Sequence, residues 1–274
     1  MNDPVQLTEA DAPQIAAFTR VSCPYDLLTT TSVRRSIFAD PDPQLGLAVY
    51  DGGLDAVGMG IVRENRGWVK FLAVHPASRN RGIGTRLLEE IEAFCRERGA
   101  STIEIGTSAP YYVVPGIDVR SMEAAVLLNK AGYQRSDEAI NLSVPLRDLA
   151  DPPLDVHHAG DADLAAIRPW VTEHFPHWIN ELERGVALGN CVVHRDLGFA
   201  CWDVNREGWF GPVATLPGNG ERGIGTSTLR GALQAMRGRG YERVDIAWAT
   251  SLDFYAKAVG ARISRVFWGY RKAF

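Results

Sequence analysis

Short apolar or alternating stretches, separated by turn residues, dominate the first 75 positions, a pattern typical of paired strands. The strand-like segments are residues 5–7, 45–50, 57–63 and 68–74. The run Asp51-Gly52-Gly53 is expected to form a hairpin turn between the second and third. Helical segments are expected between the first and second strands, up to about residue 38. The pattern predicts an antiparallel meander at the start of the chain.

An amphipathic helix follows these strands. From about Gly84 to Arg98 the apolar residues recur at helical spacing and form one stripe, made of Leu87, Leu88, Ile91, Phe94 and Cys95. Gly99 provides the left-handed residue that commonly ends a helix. A strand at 102–106, a helix at about 121–130 and a strand at 140–144 complete this half. The prediction is an α/β (α+β) unit: a mixed, mostly antiparallel sheet flanked by helices, with one strand–turn–helix–strand crossover.

The same pattern occurs twice in the chain. Residues 79–85 read RNRGIGT and residues 220–226 read GERGIGT, an offset of 141. The same offset relates Pro76 to Pro217 and the helix-ending Arg98-Gly99 to Arg239-Gly240. A strand-like stretch follows each of these glycines. Agreement at so many points indicates an internal duplication.

The composition around residue 150 places the boundary between the two copies. Residues 148–153 read DLADPP, and two consecutive prolines continue neither a helix nor a central strand. The predicted domains are therefore 1–150 and 151–274. The first copy has about ten more residues before its glycine motif and an insertion near 111–118 that the second lacks.

Composition and charge limit the classes of function. A chain of 274 residues with 46% hydrophobic content is long enough for two buried cores. Its net charge of -4 is spread evenly, unlike the basic surface of a nucleic-acid or membrane binder. It shows neither a signal-peptide pattern nor an apolar run of about 20 residues. Four cysteines without metal-ligand spacing (Cys23, Cys95, Cys191 and Cys201) are expected to be free thiols. Together these features predict a cytoplasmic protein.

The first glycine motif has the properties of an anion site. It follows a strand and opens a helix, so its backbone N–H groups have no intrahelical acceptors and lie at the positive end of the helix dipole. Gly82 and Gly84 let a phosphate approach the backbone, Arg79 and Arg81 add positive charge, and Thr85 adds a hydroxyl. The alternative is a tight turn with solvated arginines.

Arg79-Asn80-Arg81-Gly82-Ile83-Gly84 resembles the Arg/Gln-x-x-Gly-x-Gly/Ala motif of the GNAT (GCN5-related) N-acetyltransferase superfamily. The resemblance covers nearly the whole chain, once per half, and the tandem arrangement is similar to that of the mycothiol synthase type. It implies acetyl-CoA as acyl donor and no metal. The strand residues Leu72, Ala73 and Val74 would then meet the pantetheine arm. The pyrophosphate would meet Arg79, Asn80, Arg81, Gly82, Ile83, Gly84 and Thr85.

In the second copy the resemblance implies a matching set of cofactor residues: Val213, Thr215, Arg222, Gly223, Gly225 and Thr226. Gly220 departs from the motif, which has Arg or Gln there. A rival interpretation is a dinucleotide-binding loop, because residues 218–223 match G-x-G-x-x-G and Asp245 follows about twenty residues later. The repeat argues against it, since the first copy has no glycines at the positions equivalent to Gly218 and Gly220.

The candidates for the chemistry differ between the copies. The resemblance implies a tyrosine acid on the last helix, and the second copy has Tyr255 where the first has Leu128. Glu104 and Asp245 occupy equivalent strand positions and are candidate bases; the alternative is that both are solvent-facing carboxylates. Tyr111, in the insertion, is a candidate acid of the first copy; the alternative is a loop packed by its own aromatics.

The predicted function is transfer of an acetyl group from acetyl-CoA to a small-molecule amine, such as an amino sugar, an amino acid or a polyamine-like compound, by direct attack. The alternative is a non-catalytic acyl-CoA-binding protein with one or both halves degenerate. No nucleic-acid or membrane partner is expected, and the protein would be a monomer or a homodimer. His174 and His177 have metal-like spacing, but no third ligand is evident, so packing is the favoured role for both.

Overall fold

The computed structural model describes residues 2–147, 149, 155–219 and 223–274, which form two compact units. Unit 1 comprises the residues up to Ala139 together with Val266–Phe274, and unit 2 comprises Ile140–Arg265. Both combine helices with a mixed sheet, so the predicted α/β class is confirmed. The predicted boundary at 150 falls among residues outside the described part and stays a prediction. Within the described part, no helix has the length and hydropathy needed to cross a bilayer.

Unit 1 begins with a short strand and a helical layer, followed by the meander and the crossover. Its elements are β1 (Val5–Gln6), α1 (Ala12–Ser22), α2 (Thr30–Val33) with its continuation Arg34–Phe38, β2 (Gln44–Tyr50), β3 (Leu54–Arg63), β4 (Arg66–Val74), α3 (Ile83–Glu97), β5 (Thr102–Ile105), β6 (Ile117–Asp118), α4 (Met122–Lys130) and the start of β7 (Gln134–Pro145). Strands β1 to β4 pair antiparallel in sequence order, whereas β4 and β5 are parallel. The predicted meander and crossover are both present.

Unit 2 repeats this plan with fewer residues before its crossover. Its elements are β8 (Val156–His158), α5 (Asp161–His174), α6 (Ile179–Ala187), β9 (Cys191–His194), β10 (Gly198–Trp202), β11 (Trp209–Thr215), α7 (Ile224–Gly238), β12 (Arg243–Ile246), α8 (Leu252–Val259) and the start of β13 (Arg262–Ala273). Strands β8 to β11 pair antiparallel, and β11 and β12 are parallel.

Each unit takes part of a strand from the other half of the sequence. The end of β13 pairs antiparallel with β5, with Arg271 opposite Glu104, and so belongs to unit 1. The end of β7 pairs antiparallel with β12, with Val144 opposite Val244, and so belongs to unit 2. Neither sheet is therefore built from one continuous half of the chain.

The core of each unit has two layers, one on each face of its sheet. In unit 1, Ile15 and Ile37 from the α1–α2 side pack with Phe71, while Leu88 and Ile91 of α3 pack on the opposite face. In unit 2 the α5–α6 layer and the α7–α8 layer do the same. Because helices cover both faces of each sheet, a ligand would contact the strands at their edges.

One strand is longer than the sequence pattern predicts. The expected strand at 140–144 begins at Gln134. Residues 134–138 are exposed and polar, so they carry no apolar alternation that would reveal them. The strand forms because its backbone pairs within the sheet, which periodicity of side chains does not report.

The last strand should matter for the stability of unit 1, because Phe267 lies in β13 with no exposed surface. Phe267→Ala should lower the free energy of unfolding by about 3–5 kcal/mol. It should also raise amide hydrogen exchange in Thr102–Ile105, whose edge β13 covers. Ile263→Ala, in the same strand but 60% exposed, is the matched control and should change little. Equal effects of the two variants would contradict the assignment of the end of β13 to unit 1.

Candidate functional site

The sheet of unit 1 opens at the end of its parallel ladder. Strands β4 and β5 are paired from Arg66 opposite Thr102 to Val69 opposite Ile105. One further bond, from Gly106 N–H to Val69 O at 3.0 Å, closes the ladder. Beyond this point β4 continues along β3, whose register shifts by one residue so that Lys70 is bulged. Residues 71–74 therefore present one strand edge that β5 does not cover.

The sheet of unit 2 opens at the equivalent position. The ladder of β11 and β12 ends with Phe210 opposite Ile246, followed by a bond of 3.3 Å from Ala247 N–H to Phe210 O. Here Gly211 and Pro212 are opposite the single residue Cys201, which makes the same bulge. Each of these β11 positions lies 141 residues after its counterpart in β4, so the duplication preserved the opening itself.

A left-handed glycine begins the helix after each opening. Gly82 caps α3 with a φ of 79°, and Gly223 caps α7 with a φ of 73°. A side chain is strained in this conformation, which explains the glycine. The first intrahelical bonds run from Arg86 N–H to Gly82 O at 3.0 Å and from Ser227 N–H to Gly223 O at 2.9 Å. The three amides after each glycine are thus available to an anion.

The second glycine of each motif brings the helix against the open strand. A Cβ placed on Gly84 would lie 3.4 Å from Val74 Cγ2 and 3.5 Å from Leu127 Cδ2. A Cβ on Gly225 would lie 3.3 Å from Thr215 Oγ1 and 3.6 Å from Phe254 Cζ. The helix start therefore packs between the strand end and the later helix of its unit. In unit 1 a cavity of about 250 Å³ continues from Thr85 between α3 and α4.

The two arginines of the first motif already have protein partners. Arg79 donates from Nε to Val74 O and from Nη2 to Ser22 O, both at 3.2 Å. Arg81 Nη2 lies 3.2 Å from Asp51 Oδ2, and both side chains are more than half exposed. Arg79 thereby ties the glycine turn to the end of β4. Of the second motif, Gly220 and the predicted cofactor residue Arg222 lie outside the described residues.

Tyr255 is buried in the α7–α8 layer of unit 2, in the same core cluster as Phe210 at the opening. Burial raises the pKa of its hydroxyl to about 12. The phenol therefore stays protonated at neutral pH and suits a proton donor rather than a base. In unit 1 the equivalent position holds the buried Leu128, which has no proton to give.

The two candidate bases lie next to the openings with charged partners. Glu104 is 3.5 Å from Arg271 and accepts a hydrogen bond from Thr107 Oγ1 at 3.2 Å. Burial raises the pKa of Asp245, and the positive charges of Arg265 and Arg206 oppose that rise. Both carboxyls are half-buried, so neither is the solvent-facing side chain of the alternative interpretation.

The insertion of unit 1 packs as part of its core. Tyr111 and Tyr112 are each 8% exposed, and Val113 is fully buried against Phe71 and Ala73. This is the arrangement expected of a loop packed by its own aromatics. It fills the α1–α2 face beside the open strand edge of β4.

The histidine pair of unit 2 lies in an aromatic cluster. The His177 ring is centred 4.9 Å from the Trp178 ring, which stacks on Phe175 at 5.1 Å, and His174 borders Phe175 at 6.4 Å. Within the described ranges, no group of three or more His, Cys, Asp or Glu side chains is placed to hold a metal ion.

Two groups of buried charges were missed by the sequence interpretation. Lys70 is 1% exposed, and its Nζ lies 2.6 Å from Asp40 Oδ2, which also pairs with Arg63 at 3.2 Å. In unit 2, Glu181 is 6% exposed and accepts a hydrogen bond from Asn205 Nδ2 at 2.9 Å. The sequence offered two signals of these buried charges. One is a lysine within the apolar strand β4, and the other is a glutamate beside Leu182 on an amphipathic helix.

Glu181 is held in an apolar layer, and burial raises the pKa of its carboxyl to about 7. Arg184 acts in the opposite direction through its charge, and it also donates to Asn205 Oδ1 at 3.0 Å. The carboxyl is therefore near the midpoint of its titration at neutral pH, which is rare for a glutamate.

Comparison with known proteins gives a family match for part of the chain and similar folds for nearly all of it. Residues 14–112 match the model of the Acetyltransferase (GNAT) family. No curated protein matches the sequence. Similar solved structures include the GCN5-related glucosamine N-acetyltransferase region of a fungal multi-domain GH3 β-N-acetylglucosaminidase, with 19% identity and a TM-score of 0.79 over 98% of this chain. This chain spans 38% of that protein's length.

Two further structures match along almost their whole length. A GCN5-related N-acetyltransferase from Sphaerobacter thermophilus has 19% identity and a TM-score of 0.72, covering 99% of this chain and 95% of the other. A tandem GNAT protein from the clavulanic acid biosynthesis pathway has 14% identity and a TM-score of 0.75, covering 99% and 98%. At these identities the likeness concerns the fold, and it confirms the predicted arrangement of two GNAT-like domains.

The raised pKa of Glu181 predicts how stability depends on pH. The carboxyl keeps its proton up to about pH 7 in the folded state but loses it near its ordinary value of 4.5 when unfolded. Stability contributed by this group is full below 4.5 and falls as pH rises to about 7, by about 3 kcal/mol. Glu181→Gln should therefore stabilise the protein at pH 8 but not at pH 4.5, as measured by urea unfolding.

Glu183→Gln is the matched control, because Glu183 lies on the same helix, partly exposed and paired with Arg168. It should leave the pH dependence of stability unchanged. A Glu181→Gln variant destabilised equally at both pH values would contradict the burial effect.

Proposed function

We propose that this protein, whose residues 14–112 belong to the acetyltransferase (GNAT) family and whose two units have the tandem GNAT fold, transfers the acetyl group of acetyl-CoA to the amine of a small molecule. The observation that carries the proposal is the opening of each sheet beside a glycine-capped helix. The extended pantetheine arm of the cofactor needs an open strand edge, and its anionic pyrophosphate needs the start of a helix next to that edge.

In unit 1 the pantetheine arm would pair with the open edge of β4 at Leu72, Ala73 and Val74. Its amide groups would complete the hydrogen bonds that β5 does not make. The pyrophosphate would lie on the backbone amides from Asn80 to Thr85, in the field of the α3 dipole. Because Arg79 ties this turn to Val74 O, both parts of the cofactor would meet one rigid surface.

Unit 2 offers the same two surfaces. The open edge of β11 includes Val213 and Thr215, and the turn includes Gly223, Gly225 and Thr226. Their positions relative to the opening match those of unit 1. A second cofactor would therefore bind in the same manner, with the phosphate on the amides that follow Gly223.

The reaction needs a neutral amine aimed at the thioester carbon. Its lone pair forms the new N–C bond, and a strand amide near Val74 or Thr215 stabilises the oxyanion. The C–S bond then breaks, and the leaving thiolate receives a proton. In unit 2 the protonated Tyr255 would donate it and Asp245 would act as base through water, whereas Glu104 would be the base of unit 1.

A second candidate function is acyl-CoA binding without catalysis. Leu128 in place of the tyrosine favours it for unit 1, as do the buried Tyr111 and Val113 beside the open edge. Both functions require the same cofactor site. They differ in whether thiol is released.

Calorimetry with acetyl-CoA, followed by a thiol-release assay with glucosamine, lysine and spermidine, separates the two. Binding together with amine-dependent release of CoA is the expected result. Tight binding without release on any amine would favour the binding protein, and absence of binding would refute both.

The cofactor placement predicts a charge effect at the two capping glycines. Asparagine and aspartate both tolerate a left-handed φ and differ by one charge. Gly82→Asp should weaken acetyl-CoA binding at the first site about tenfold or more beyond Gly82→Asn, because the carboxylate faces the pyrophosphate. The pair Gly223→Asp and Gly223→Asn should act likewise on the second site. Equal affinities within each pair, measured by calorimetry, would exclude this placement.

The proposed acid predicts a loss in turnover rather than in binding. Tyr255→Phe should lower kcat about 100-fold or more, while the affinity for acetyl-CoA stays unchanged. Tyr241→Phe is the control, since Tyr241 is another tyrosine of unit 2 and donates to Asp203 at 3.0 Å. Retention of full kcat by Tyr255→Phe would remove Tyr255 from the mechanism.

A further inference from the structure

The bulged strand residue differs between the two units. Lys70 lies between Val69, the last residue of the parallel ladder, and Phe71. Gly211 lies in the same place after Phe210. The two positions are equivalent by register and by the 141-residue offset of the repeat. The duplication thus placed a long cationic side chain in one unit and no side chain in the other.

In unit 1 the Lys70 ammonium occupies the helix-facing side of the opening. Its Nζ is 2.6 Å from Asp40 Oδ2 and 3.4 Å from Ile37 O. Asp40 follows the helical segment that precedes β2. Unit 1 therefore contains an ammonium–carboxylate pair beside its open strand, supplied entirely by its own chain.

In unit 2 the space immediately beside the Gly211 backbone is open. Of the described atoms, none lies within 4 Å of a Cβ built on Gly211, apart from its chain neighbours. The carboxylate remains, because Glu181 comes from α6, the helix that precedes β9. Within the described part of the chain, Glu181 has a hydrogen bond from Asn205 but no ion pair.

The packing of α6 places Glu181 close to Cys201 of β10. A Cβ on Gly185 would lie 2.6 Å from Cys201 Sγ, so α6 crosses β10 at Cys201. Cys201 is the residue opposite the Gly211–Pro212 bulge. Glu181 lies one helical turn before Gly185, on the same face of the helix. Its side chain is thus directed into the layer next to the opening.

We propose that the space beside Gly211 is a subsite for the ammonium group of a primary-amine acceptor and that Glu181 is the carboxylate that pairs with it. The subsite rests on the acetyl transfer proposed above. The acceptor's ammonium would take the place that Lys70 Nζ has in unit 1. An acceptor bearing a hydroxyl there would leave the buried carboxylate without a cation.

The pair would also prepare the amine for attack, with Glu181 in place of Asp245 as the base of unit 2. The ammonium passes one proton to the Glu181 carboxylate, which leaves a neutral amine and a carboxylic acid. The amine forms the N–C bond, the C–S bond breaks, and the thiolate takes one of the two protons left on nitrogen by way of the Tyr255 hydroxyl. Glu181 then loses its proton to solvent when the product leaves.

The surroundings of Glu181 set when it is ionised. Burial raises the pKa to about 7, whereas the charge of Arg184 on its own helix and the hydrogen bond from Asn205 lower it, and Cys201 of β10 lies close to the carboxyl. The turn after β10 contributes the neutral Asn205, and Arg168 of α5 pairs with Glu183 instead. The value of kcat/KM should therefore rise with pH through about 7.

Glu181→Gln in the full-length protein tests the subsite. The expected result is a KM for the amine at least tenfold higher, loss of the rise in kcat/KM near pH 7, and unchanged affinity for acetyl-CoA. Glu183→Gln should behave as wild type, and Glu181→Asp should recover part of the loss. If Glu181→Gln has the KM and pH profile of Glu183→Gln, or loses acetyl-CoA binding instead, the subsite is refuted.

A binding measurement separates this subsite from the proposed reaction. Butylammonium should raise the Tm of the wild type and of Glu183→Gln but not of Glu181→Gln, whereas butanol should have no such effect. If no amine is acetylated but this Tm pattern appears, the proposed reaction fails and the subsite stands. If amines are acetylated but butylammonium acts equally on all three proteins, the reaction stands and the subsite fails.

Discussion

The early end of the parallel ladder is the constraint on which both sites depend. A strand that stayed paired along its full length would leave no backbone groups for a ligand. Here the bulge at Lys70 or Gly211 turns the strand away as soon as the ladder ends. Gly84 and Gly225 then let the next helix approach the freed segment closely. Strand edge and helix terminus are thus brought together by backbone geometry, which survives wide changes in the side chains.

The duplication kept this geometry and let the side chains beside it diverge. One unit has Lys70 at the bulge and Leu128 on its later helix, and the other has Gly211 and Tyr255. The first pair fills space and has no hydroxyl on the later helix, whereas the second leaves space beside a hydroxyl that stays protonated. Both of these differences lie where an acceptor would approach. The two glycines of the motif that would hold phosphate are retained in both units.

The features that could be predicted from sequence are those with a local cause. A left-handed φ requires glycine at positions 82 and 223, and burial of one face of α3 requires its apolar stripe. Each of these requirements is visible in the neighbouring sequence. The strand at Gln134 left none, because its first residues are polar and exposed. The contribution of β13 to unit 1 was equally invisible, since it joins β5 across more than 160 positions. A pairing between strands so far apart in the sequence is determined by the topology of the whole fold, not by the residues near either strand.

The same reasoning explains why the buried charges were missed. Lys70 and Asp40 are thirty positions apart in the sequence. Each is a charged residue type that is usually found on the protein surface. Only their enclosure in one layer makes them a pair. Glu181 differs from Asp40, because its hydrogen-bond partner is the neutral amide of Asn205 and burial shifts the pKa of its carboxyl upward. A buried carboxyl without an ion partner destabilises the fold whenever it is ionised. Unit 1 removes that cost with its own lysine, and in unit 2 a bound cation would remove it only while the cation is present.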